Sequence, residues 1–392
     1  MNYIPRLLEQ PIKHALVRGK SVMLLGARQT GKTTLINHLH PDLTISFIKP
    51  VVRLRYEKNP STLTGEIEAF VEGKEKLPII CIDEVQKVPD ILDVIQDLID
   101  RKVAQFILTG SSARKLRLGT KVNLLPGRVV VFKCDPLTLK ELVDTKINLP
   151  DLLLQGSLPG IITTETPADK QLDLSSYVTT YLEQEVRAEA LVRQLGTFAQ
   201  FLTLAASEAG NIININKLSQ EIGISNATIS SYYQILEDCL IIERIEPFIQ
   251  TKMRRKLTKT PKYLFFDLGI RRVCGDEGTK LPIKQMGLLF EQWVGLELIR
   301  MARLTIEPIK IHFWRDPDGP EIDWVIKTEE ELVPIEVKWT AQPTRQDIKH
   351  ILLFMKEYPN ANKGYVVCQT PQKIKLADNI YALPWQELDT LI

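Results

Sequence analysis

The residues with the most specific chemistry lie near the amino terminus, in a glycine-rich segment. This segment fits the pattern G-x-x-x-x-G-K-[ST] between an apolar run at 21–25 and a helical pattern at 34–39. In that context its backbone N–H groups are expected to surround phosphates at the positive end of a helix. Lys32 would reach the β- and γ-phosphates, and the Thr33 hydroxyl would ligate Mg²⁺. The predicted ATP-binding residues here are Gly26, Ala27, Arg28, Gln29, Thr30, Gly31, Lys32, Thr33 and Thr34.

An acidic pair follows the second apolar strand pattern, where Asp83 and Glu84 come directly after 78–82. Parallel strands place ligands at their carboxyl ends, so both acids are expected to face the same phosphates. Asp83 is predicted to hold Mg²⁺, directly or through water, and Glu84 to orient and deprotonate the attacking water. A third strand pattern, 105–109, leads to Ser111, predicted either to sense the γ-phosphate or to cap a helix.

Between Asp100 and Asp135 the chain carries no acid, and all of its charged residues are basic, including those of the cluster 114–121. Such a stretch is either solvated surface or a surface facing phosphate anions, and its place beside the predicted site favours the second. Arg128 is predicted to be an arginine finger that stabilises transition-state charge. An arginine finger acts in its own chain or on a neighbouring subunit of a homo-oligomer, and the sequence leaves both open.

The C-terminal third contains a second group of residues with a chemical pattern. Asp323 lies in a strand pattern at 321–326, and Glu336 and Lys338 alternate with apolar residues in the next one. Alternation places these side chains on one sheet face, where two carboxylates for Mg²⁺ or Mn²⁺ and a lysine beside water suit phosphodiester hydrolysis. Glu291, in an amphipathic helical pattern, is predicted to complete the metal site. The alternative is an internal salt-bridge cluster neutralised by Lys338.

A helix-turn-helix pattern occupies the middle of the chain. Two short helical segments, 215–222 and 226–236, flank a turn in which Ser225 would cap the second helix, and 240–245 resembles the strand of a wing. The exposed side chains predicted to reach bases or phosphates are Asn226, Thr228, Ser230, Ser231 and Tyr232. A basic, acid-free segment then runs through Lys252, Arg254, Arg255, Lys256, Lys259 and Lys262. Together they predict contact with DNA, with a protein–protein module as the alternative.

The composition is that of a globular protein, because 44% of the 392 residues are hydrophobic and 25% are charged. No apolar run approaches the roughly 20 residues that span a bilayer, and the first residues lack a secretory signal, so we expect a cytoplasmic protein without membrane association. Its five cysteines are scattered, which argues against a disulfide framework. Since the net charge is only +2, any nucleic-acid affinity must come from local patches.

Nearly the whole chain resembles a bacterial and archaeal family of AAA-type ATPases with a C-terminal domain of unknown function. The resemblance is carried by the segments 26–33, 82–87, 108–112, 125–128, 156–159, 265–269, 290–294, 313–315 and 335–338. The last part also resembles the PD-(D/E)XK nuclease fold, with Asp323, Glu336 and Lys338 at the signature positions.

The resemblance implies an α/β protein with four domains. These are a P-loop AAA-type ATPase core at 1–140, a helical lid at 141–195, a winged helix-turn-helix at 196–262, and a restriction-endonuclease-like α/β domain at 263–392. We expect a protein that binds and hydrolyses ATP with Mg²⁺, binds DNA, and couples its ATPase to the nuclease-like domain. The alternative is an ATP-dependent switch or scaffold whose nuclease-like fold is catalytically silent and binds partners.

Overall fold

The computed structural model describes residues 3–112, 125, 127–143, 145, 147–182, 195–249, 260–280, 282–316 and 319–392. The chain divides into two compact units. Unit 1 contains Met1–Leu137, Leu158–Thr163 and Asp238–Ile241. Unit 2 contains Thr138–Ser157, Thr164–Glu237 and Ile242–Ile392.

The strands in the described ranges are β1 (Ser21–Leu25), β2 (Leu43–Ser46), β3 (Ile79–Asp83), β4 (Gln105–Gly110), β5 (Val129–Lys133), β6 (Ile242–Ile245), β7 (Lys262–Phe265), β8 (Lys310–Arg315), β9 (Glu321–Lys327), β10 (Leu332–Val337), β11 (Gly364–Cys368), β12 (Ile374–Ala377) and β13 (Ile380–Pro384). The α-helices in the same ranges are α1 (Glu9–Val17), α2 (Lys32–Leu39), α3 (Pro50–Lys58), α4 (Thr62–Val71), α5 (Ile91–Asp100), α6 (Leu149–Gln155), α7 (Pro159–Thr163), α8 (Pro167–Ser176), α9 (Leu195–Ser207), α10 (Ile215–Ile222), α11 (Asn226–Asp238), α12 (Leu268–Cys274), α13 (Ile283–Ala302) and α14 (Lys349–Glu357).

Unit 1 is built on a parallel sheet with the strand order β2-β3-β4-β1-β5. The central strands β1 and β4 are buried along their whole length, which explains why they read as continuous apolar runs. Helix α5 is amphipathic, and its buried residues Ile91, Ile95 and Leu98 join the core that also contains Phe106. The sheet brings the ends of β1, β3 and β4 to one edge, as the strand patterns predicted.

The C-terminal part of unit 2 contains a mixed sheet with the order β12-β13-β11-β10-β9-β8. Strands β8, β9 and β10 form an antiparallel meander, and β10, β11 and β13 run parallel. Helix α13 packs on this sheet, where the indole N–H of Trp324 donates to the Glu291 carbonyl at 3.0 Å. Helix α14 contributes Ile351 and Phe354 to a core that includes Trp314.

The middle of unit 2 contains the helices α9, α10 and α11, followed by the antiparallel pair β6 and β7. Ser225 caps α11 as predicted, because its hydroxyl accepts the Thr228 N–H at 3.1 Å. The predicted exposure of Tyr232 is wrong: this side chain is 6% exposed and packs against Phe198 and Phe201. The reason is α9, a helix that the sequence analysis did not define, which covers that side of α11.

A buried polar cluster holds the segment Thr138–Ser157 inside unit 2. Asp267, fully buried, accepts the Ser157 N–H at 2.7 Å, and Glu297 accepts the Leu139 N–H at 2.9 Å. Arg300 connects Glu297 to Ser157, because its guanidinium donates to Glu297 at 2.8 Å and to the Ser157 hydroxyl at 3.1 Å. Because buried charges are tolerated when they are paired and hydrogen-bonded, this cluster fixes the segment at both ends.

The predicted domain boundaries at 140, 195 and 262 stay predictions, and the compact units divide the chain elsewhere. Within the predicted lid, residues 158–163 belong to unit 1, whereas the other described residues belong to unit 2. Among the described residues, no helix is both long and apolar enough to cross a bilayer. The predicted cytoplasmic location remains a prediction.

Candidate functional site

The glycine-rich loop connects β1 to α2, and its backbone is tightly curved. Gly31 precedes α2 with a φ of 91°, a left-handed conformation that residues with a Cβ rarely adopt. Gly26 lies so close to the Cys134 carbonyl that a Cβ at this position would overlap it. Both glycines are therefore required by the loop geometry. Gln29 is also left-handed, with a φ of 61°.

Lys32 lies inside this loop and is 7% exposed. Its ammonium donates to the carbonyls of Gly26 and Ala27, each at 2.9 Å. Burial lowers the pKa of Lys32, and the nearby Glu84 opposes that shift. Thr33 and Thr34 are exposed in the first turn of α2, so both hydroxyls are accessible to a ligand. The loop thus gathers an ammonium, hydroxyls and a helix N-terminus, which suits a phosphate group.

Within the same loop, the Thr30 hydroxyl donates to the Ala27 carbonyl at 2.9 Å and stays buried. Arg28 is half-buried and Gln29 is exposed. The predicted role of these loop residues in binding ATP stays a prediction, and only some of their side chains face solvent.

Asp83 ends β3 beside this loop, and both of its carboxylate oxygens accept a hydroxyl. Thr109 donates to Oδ1 at 2.7 Å, and Ser46 donates to Oδ2 at 2.9 Å. These donors fix the carboxylate and leave lone pairs for a hydrated Mg²⁺, so Asp83 fits the predicted ligand. The sequence analysis did not identify Ser46 and Thr109 as site residues. Their positions at the carboxyl ends of β2 and β4 are a signal that could have identified them, because parallel strands place ligands at these ends.

Glu84 follows Asp83 in a left-handed conformation with a φ of 59°, and its N–H donates to the Thr109 hydroxyl at 2.9 Å. Its Oε2 accepts the Gln86 amide at 2.6 Å and the Ser111 hydroxyl at 3.1 Å. Ser111 thus hydrogen-bonds the predicted catalytic base, Glu84. Its predicted role as a sensor of the γ-phosphate stays a prediction. Gln86 was missed, and among the described residues nothing hydrogen-bonds its buried Oε1.

Arg6 is a further residue that the sequence analysis missed. Arg6 is 8% exposed, and its guanidinium donates to the Thr30 carbonyl in the phosphate loop and to the Asp135 carbonyl after β5, each at 2.7 Å. These bonds fasten the loop to the polypeptide that follows the sheet edge. Its charge beside the loop also favours an anionic ligand. A lone arginine in a short amino-terminal segment carries no sequence signal for this role.

Arg128 is not brought to the nucleotide site of its own chain. It precedes β5, where its carbonyl accepts the N–H of Ser21 at the start of β1, whereas the phosphate loop follows the end of β1. Its guanidinium forms two bonds to Asp100, at 2.6 and 2.9 Å. The prediction that remains is that Arg128 serves as an arginine finger for the nucleotide site of a neighbouring subunit. The basic cluster 114–121 lies outside the described residues.

The C-terminal cluster does bring Asp323, Glu336 and Lys338 together. The β9–β10 register, with Trp324 opposite Ile335, places the two acids opposite each other. The Lys338 ammonium lies 2.6 Å from Glu336 Oε2 and 3.9 Å from Asp323 Oδ2. Asp323 Oδ2 also accepts the Val337 N–H at 2.8 Å. The predicted convergence on one sheet face is present.

The electrostatics of this cluster leave Glu336 incompletely satisfied. Burial and then Asp323 raise the pKa of Glu336 to about 8, and Lys338 opposes the shift. Burial lowers the pKa of Lys338, but the two carboxylates outweigh it and the net shift is upward. No donor among the described residues hydrogen-bonds Glu336 Oε1, and the His350 imidazole lies 3.8 Å away. An orphaned carboxylate oxygen beside a second acid fits a divalent cation.

Glu291 takes a different position from the one predicted. Its Oε1 lies 3.2 Å from the Lys262 ammonium, and burial followed by Asp323 raises its pKa to about 7. The charge of Asp323 therefore acts on the Glu291 carboxylate, which is already paired with Lys262. In the part of the chain that the structure describes, no group of three or more acidic, histidine or cysteine side chains could hold a metal. Glu291 is therefore not gathered with Asp323 and Glu336 into such a group, and its role as a metal ligand stays a prediction.

Comparison with protein families matches three segments of the chain. An AAA domain matches residues 18–143. A domain of unknown function (DUF8612) matches residues 146–279, and another (DUF4143) matches residues 286–388. The first match identifies the P-loop unit as AAA-type, and it implies nucleotide binding and hydrolysis with Mg²⁺ as the usual ion.

Several curated proteins are similar over most of their length. An uncharacterized protein of Mycobacterium tuberculosis is 26% identical over 386 residues, which cover 97% of this chain and 83% of the relative. An uncharacterized protein of Methanocaldococcus jannaschii is 23% identical, with 95% and 85% covered. Among solved structures, Cdc6p of Pyrobaculum aerophilum is 11% identical and covers 74% of this chain and 96% of its own, with a TM-score of 0.30. The C. elegans PCH-2 structure is 14% identical and covers 60% and 65%, with a TM-score of 0.24. Structural similarities of this size do not establish a shared fold.

Proposed function

Beyond the nucleotide hydrolysis implied by its AAA domain, we propose that this protein binds DNA and uses ATP to control a metal-dependent nuclease site in its C-terminal domain. The observation that carries the proposal is the convergence of Asp323, Glu336 and Lys338 on one sheet face. A sheet that served only as scaffold would gain little from two buried carboxylates, because burying charge is costly unless it is compensated.

For ATP hydrolysis, the loop and Lys32 bind the β- and γ-phosphates, with Lys32 exchanging its carbonyl acceptors for phosphate oxygens. Thr33 and Asp83 are the residues that would hold Mg²⁺, an ion that would supply neutralisation of the phosphate charge. Glu84 accepts a proton from the attacking water, and its two donors, Gln86 and Ser111, set the orientation of its carboxylate.

For phosphodiester cleavage, Asp323 and Glu336 are the residues that would hold Mg²⁺ or Mn²⁺, an ion that supplies charge stabilisation at the phosphate. Lys338 orients the attacking water from the same face, after release from Glu336. The orphaned Glu336 Oε1 supports this proposal, because a cation would satisfy it.

DNA binding is supported by the three helices and hairpin of unit 2, an arrangement with the features of a winged helix. Asn226, Ser230 and Ser231 are exposed on α11, and Thr228 is partly exposed. The basic segment at 252–259 lies outside the described residues and enters this argument through its sequence alone.

The deciding experiment is a cleavage assay on single-stranded, duplex and branched DNA, with Mg²⁺ or Mn²⁺ and with or without ATP. We expect cleavage by the wild type and a loss of about 100-fold or more in Asp323→Asn. The matched control is Asp378→Asn, which changes an exposed acid paired with Lys375. Equal cleavage by Asp323→Asn and the control would remove the nuclease assignment.

DNA binding is tested separately, by measuring the affinity against salt concentration. Replacing Arg254, Arg255 and Lys256 together by alanine should lower the affinity and flatten the dependence of log K on log salt by up to about 3 units. A triple change of the exposed Lys349, Lys356 and Lys363 is the charge-matched control. An unchanged slope in the first variant would place the contact elsewhere.

The second candidate function is an ATP-dependent switch or scaffold with a silent nuclease-like fold. It is favoured by the 2.6 Å ion pair in which Lys338 already neutralises Glu336. Under this alternative, no metal raises the melting temperature through Asp323, and no DNA substrate is cut. Calorimetry with Mn²⁺ on the wild type and Asp323→Asn separates the two functions without depending on the choice of DNA.

A further inference from the structure

The amino-terminal segment of unit 1 reaches the phosphate loop through one buried arginine. The two terminal nitrogens of the Arg6 guanidinium donate to different parts of the chain. Nη1 donates to the Thr30 carbonyl inside the loop, and Nη2 donates to the Asp135 carbonyl after β5. Because a guanidinium is a rigid planar fork, these two bonds together fix the separation between the loop and the polypeptide at residue 135.

Thr30, the loop residue that Arg6 contacts, is held by both its side chain and its backbone. Its hydroxyl donates to the Ala27 carbonyl at 2.9 Å, and the whole residue is 1% exposed. Its carbonyl accepts the Arg6 guanidinium at 2.7 Å, and the Cys134 thiol donates to the same oxygen at 3.4 Å. Arg6 therefore bonds a buried backbone group, and an effect of this bond on a nucleotide must pass through the shape of the loop.

The backbone on both sides of Thr30 is in the left-handed region. Gln29 precedes it with a φ of 61°, and Gly31 follows it with a φ of 91°. A left-handed glutamine persists only where the surrounding structure holds it. These two residues curve the loop so that its N–H groups can face a phosphate. The bond from Arg6 to the residue between them opposes the relaxation of this curvature.

The first end of the loop rests on the same polypeptide that Arg6 contacts. Gly26 lies against the Cys134 carbonyl, where a Cβ would not fit. Arg6 joins the second end of the loop, at Thr30, to Asp135, which is the next residue along. Residues 134 and 135 therefore support both ends of the loop, and the support at the second end depends on Arg6.

Arg6 is itself fixed by contacts of the amino-terminal segment. Glu9 Oε1 accepts the Arg6 N–H at 3.3 Å and also accepts the Tyr3 hydroxyl. The Tyr3 ring stacks on the imidazole of His38 in the last turn of α2, with 3.5 Å between the ring centroids. Since α2 begins at the loop, the segment 3–9 contacts both the loop and the helix that follows it. The guanidinium is thus presented to the loop from a fixed position.

We propose that Arg6 is a positioning residue for nucleotide binding, which keeps the phosphate loop in its phosphate-binding shape through the Thr30 carbonyl. The proposal rests on the nucleotide binding that the AAA domain implies and is independent of the nuclease assignment. The same loop holds the phosphates before and during hydrolysis. Arg6 therefore lowers the Kd for nucleotides and leaves kcat unchanged.

The test compares Arg6→Met, which keeps an apolar stem and removes the charge, with Arg6→Lys, which keeps the charge and loses the fork. We expect the Kd for ATP and for inorganic tripolyphosphate to rise about tenfold in both variants, because neither side chain has the planar fork that joins the two carbonyls. At saturating ATP, kcat should stay within about twofold of the wild type. Equilibrium titration and steady-state kinetics measure these quantities. The control is Arg18→Met, which changes an exposed arginine at the end of α1.

Each other result of this comparison contradicts the positioning role in its own way. A merely structural role would reduce the number of binding sites and kcat without changing the Kd of the sites that remain. A wild-type Kd in Arg6→Lys would mean that charge alone matters. A loss confined to ATP, with tripolyphosphate binding unchanged, would mean that the residue acts on the base or the sugar. If the wild type bound ATP without hydrolysing it, the hydrolysis assignment would fail, and the comparison of Kd values would still decide the role of Arg6.

Discussion

The nucleotide site of unit 1 and the carboxylate cluster of unit 2 both set two acids near one lysine, but the lysine has different partners. Lys32 donates to backbone carbonyls, and Asp83 accepts hydroxyls. Lys338 donates directly to Glu336, whose other oxygen has no hydrogen-bond partner among the described residues. In the first site the lysine and Asp83 each hydrogen-bond neutral groups. In the second site the lysine pairs directly with an acid.

Under the proposed functions, this difference predicts how each site would take up its ligand. In unit 1 the ammonium is available to an anion, because carbonyl acceptors are weaker partners than phosphate oxygens. In unit 2 the ammonium is bonded to Glu336, so a divalent ion at the proposed site would have to compete with Lys338 for that carboxylate. Nucleotide binding should therefore need little rearrangement, and metal binding should displace a side chain.

The largest expected effect concerns the base of the first site. Glu84→Gln should lower kcat for ATP hydrolysis by about 100-fold to 10,000-fold, because the amide cannot accept a proton. ATP affinity should stay within about twofold of the wild type, since Lys32 and the loop are intact. Steady-state kinetics and equilibrium ATP titration measure the two quantities.

The matched control for that variant is Glu72→Gln, which changes an exposed glutamate at the end of α4. It should leave both quantities unchanged. Hydrolysis by Glu84→Gln at the wild-type rate would show that another group activates the water.

The second prediction applies one change to both lysines. Lys32→Ala should weaken ATP binding by about 100-fold, because a phosphate loses its charged donor. Lys338→Ala should leave ATP binding unchanged and lower the free energy of unfolding of the metal-free protein by about 1–2 kcal/mol, because it leaves two acids without their cation. Mn²⁺ should restore that stability. If both variants lost ATP affinity equally, the two lysines would not serve separate sites.

The sequence predicted the first site better than the second, and the reason is the type of signal. The loop 26–33 fixes a conformation locally, and β1, β3 and β4 are apolar runs, so both halves of the site are visible along the chain. Thr109 and Ser46 were missed because hydroxyls at strand ends gain their role only when the sheet order brings them to Asp83.

In unit 2 the alternation along β9 and β10 predicted the meeting of Asp323 and Glu336, because their register follows from one hairpin-like pairing. The partner of Glu291 could not be predicted in this way. Lys262 comes from β7, and its approach to α13 depends on packing between distant segments. The same limit explains Tyr232, whose burial depends on α9, and Arg128, whose distance from the loop depends on strand order.

The smallest expected effect is the pH dependence of the metal-free cluster. The folded protein raises the pKa of Glu336 to about 8, above its ordinary value of 4.5, mainly through burial. Because the raised pKa favours the protonated Glu336 carboxyl in the folded state, its contribution to the free energy of unfolding is complete below about pH 4.5. That contribution is lost as the pH rises through about 8. Chemical denaturation between pH 5 and pH 8.5 should show this loss as a fall in the free energy of unfolding that is absent in Glu336→Gln.

Saturating Mn²⁺ should remove the same pH dependence from the wild type, because the ion holds the carboxylate ionised. The control Glu330→Gln changes an exposed acid in the turn between β9 and β10 and should keep the wild-type profile. A wild-type profile in Glu336→Gln would mean that other groups dominate this pH range.

Each unit is built from segments that are separated along the chain, and this affects which gene fragments encode a whole unit. Unit 1 takes in Leu158–Thr163 and Asp238–Ile241, and the buried Leu158 and Ile161 belong to the first of these segments. A gene fragment that stopped after the AAA match at residue 143 would lose both segments. Recombination at a single junction would therefore leave one unit with an unfilled core. The mycobacterial relative aligns with 97% of this chain, as expected if the two units are inherited together as one gene.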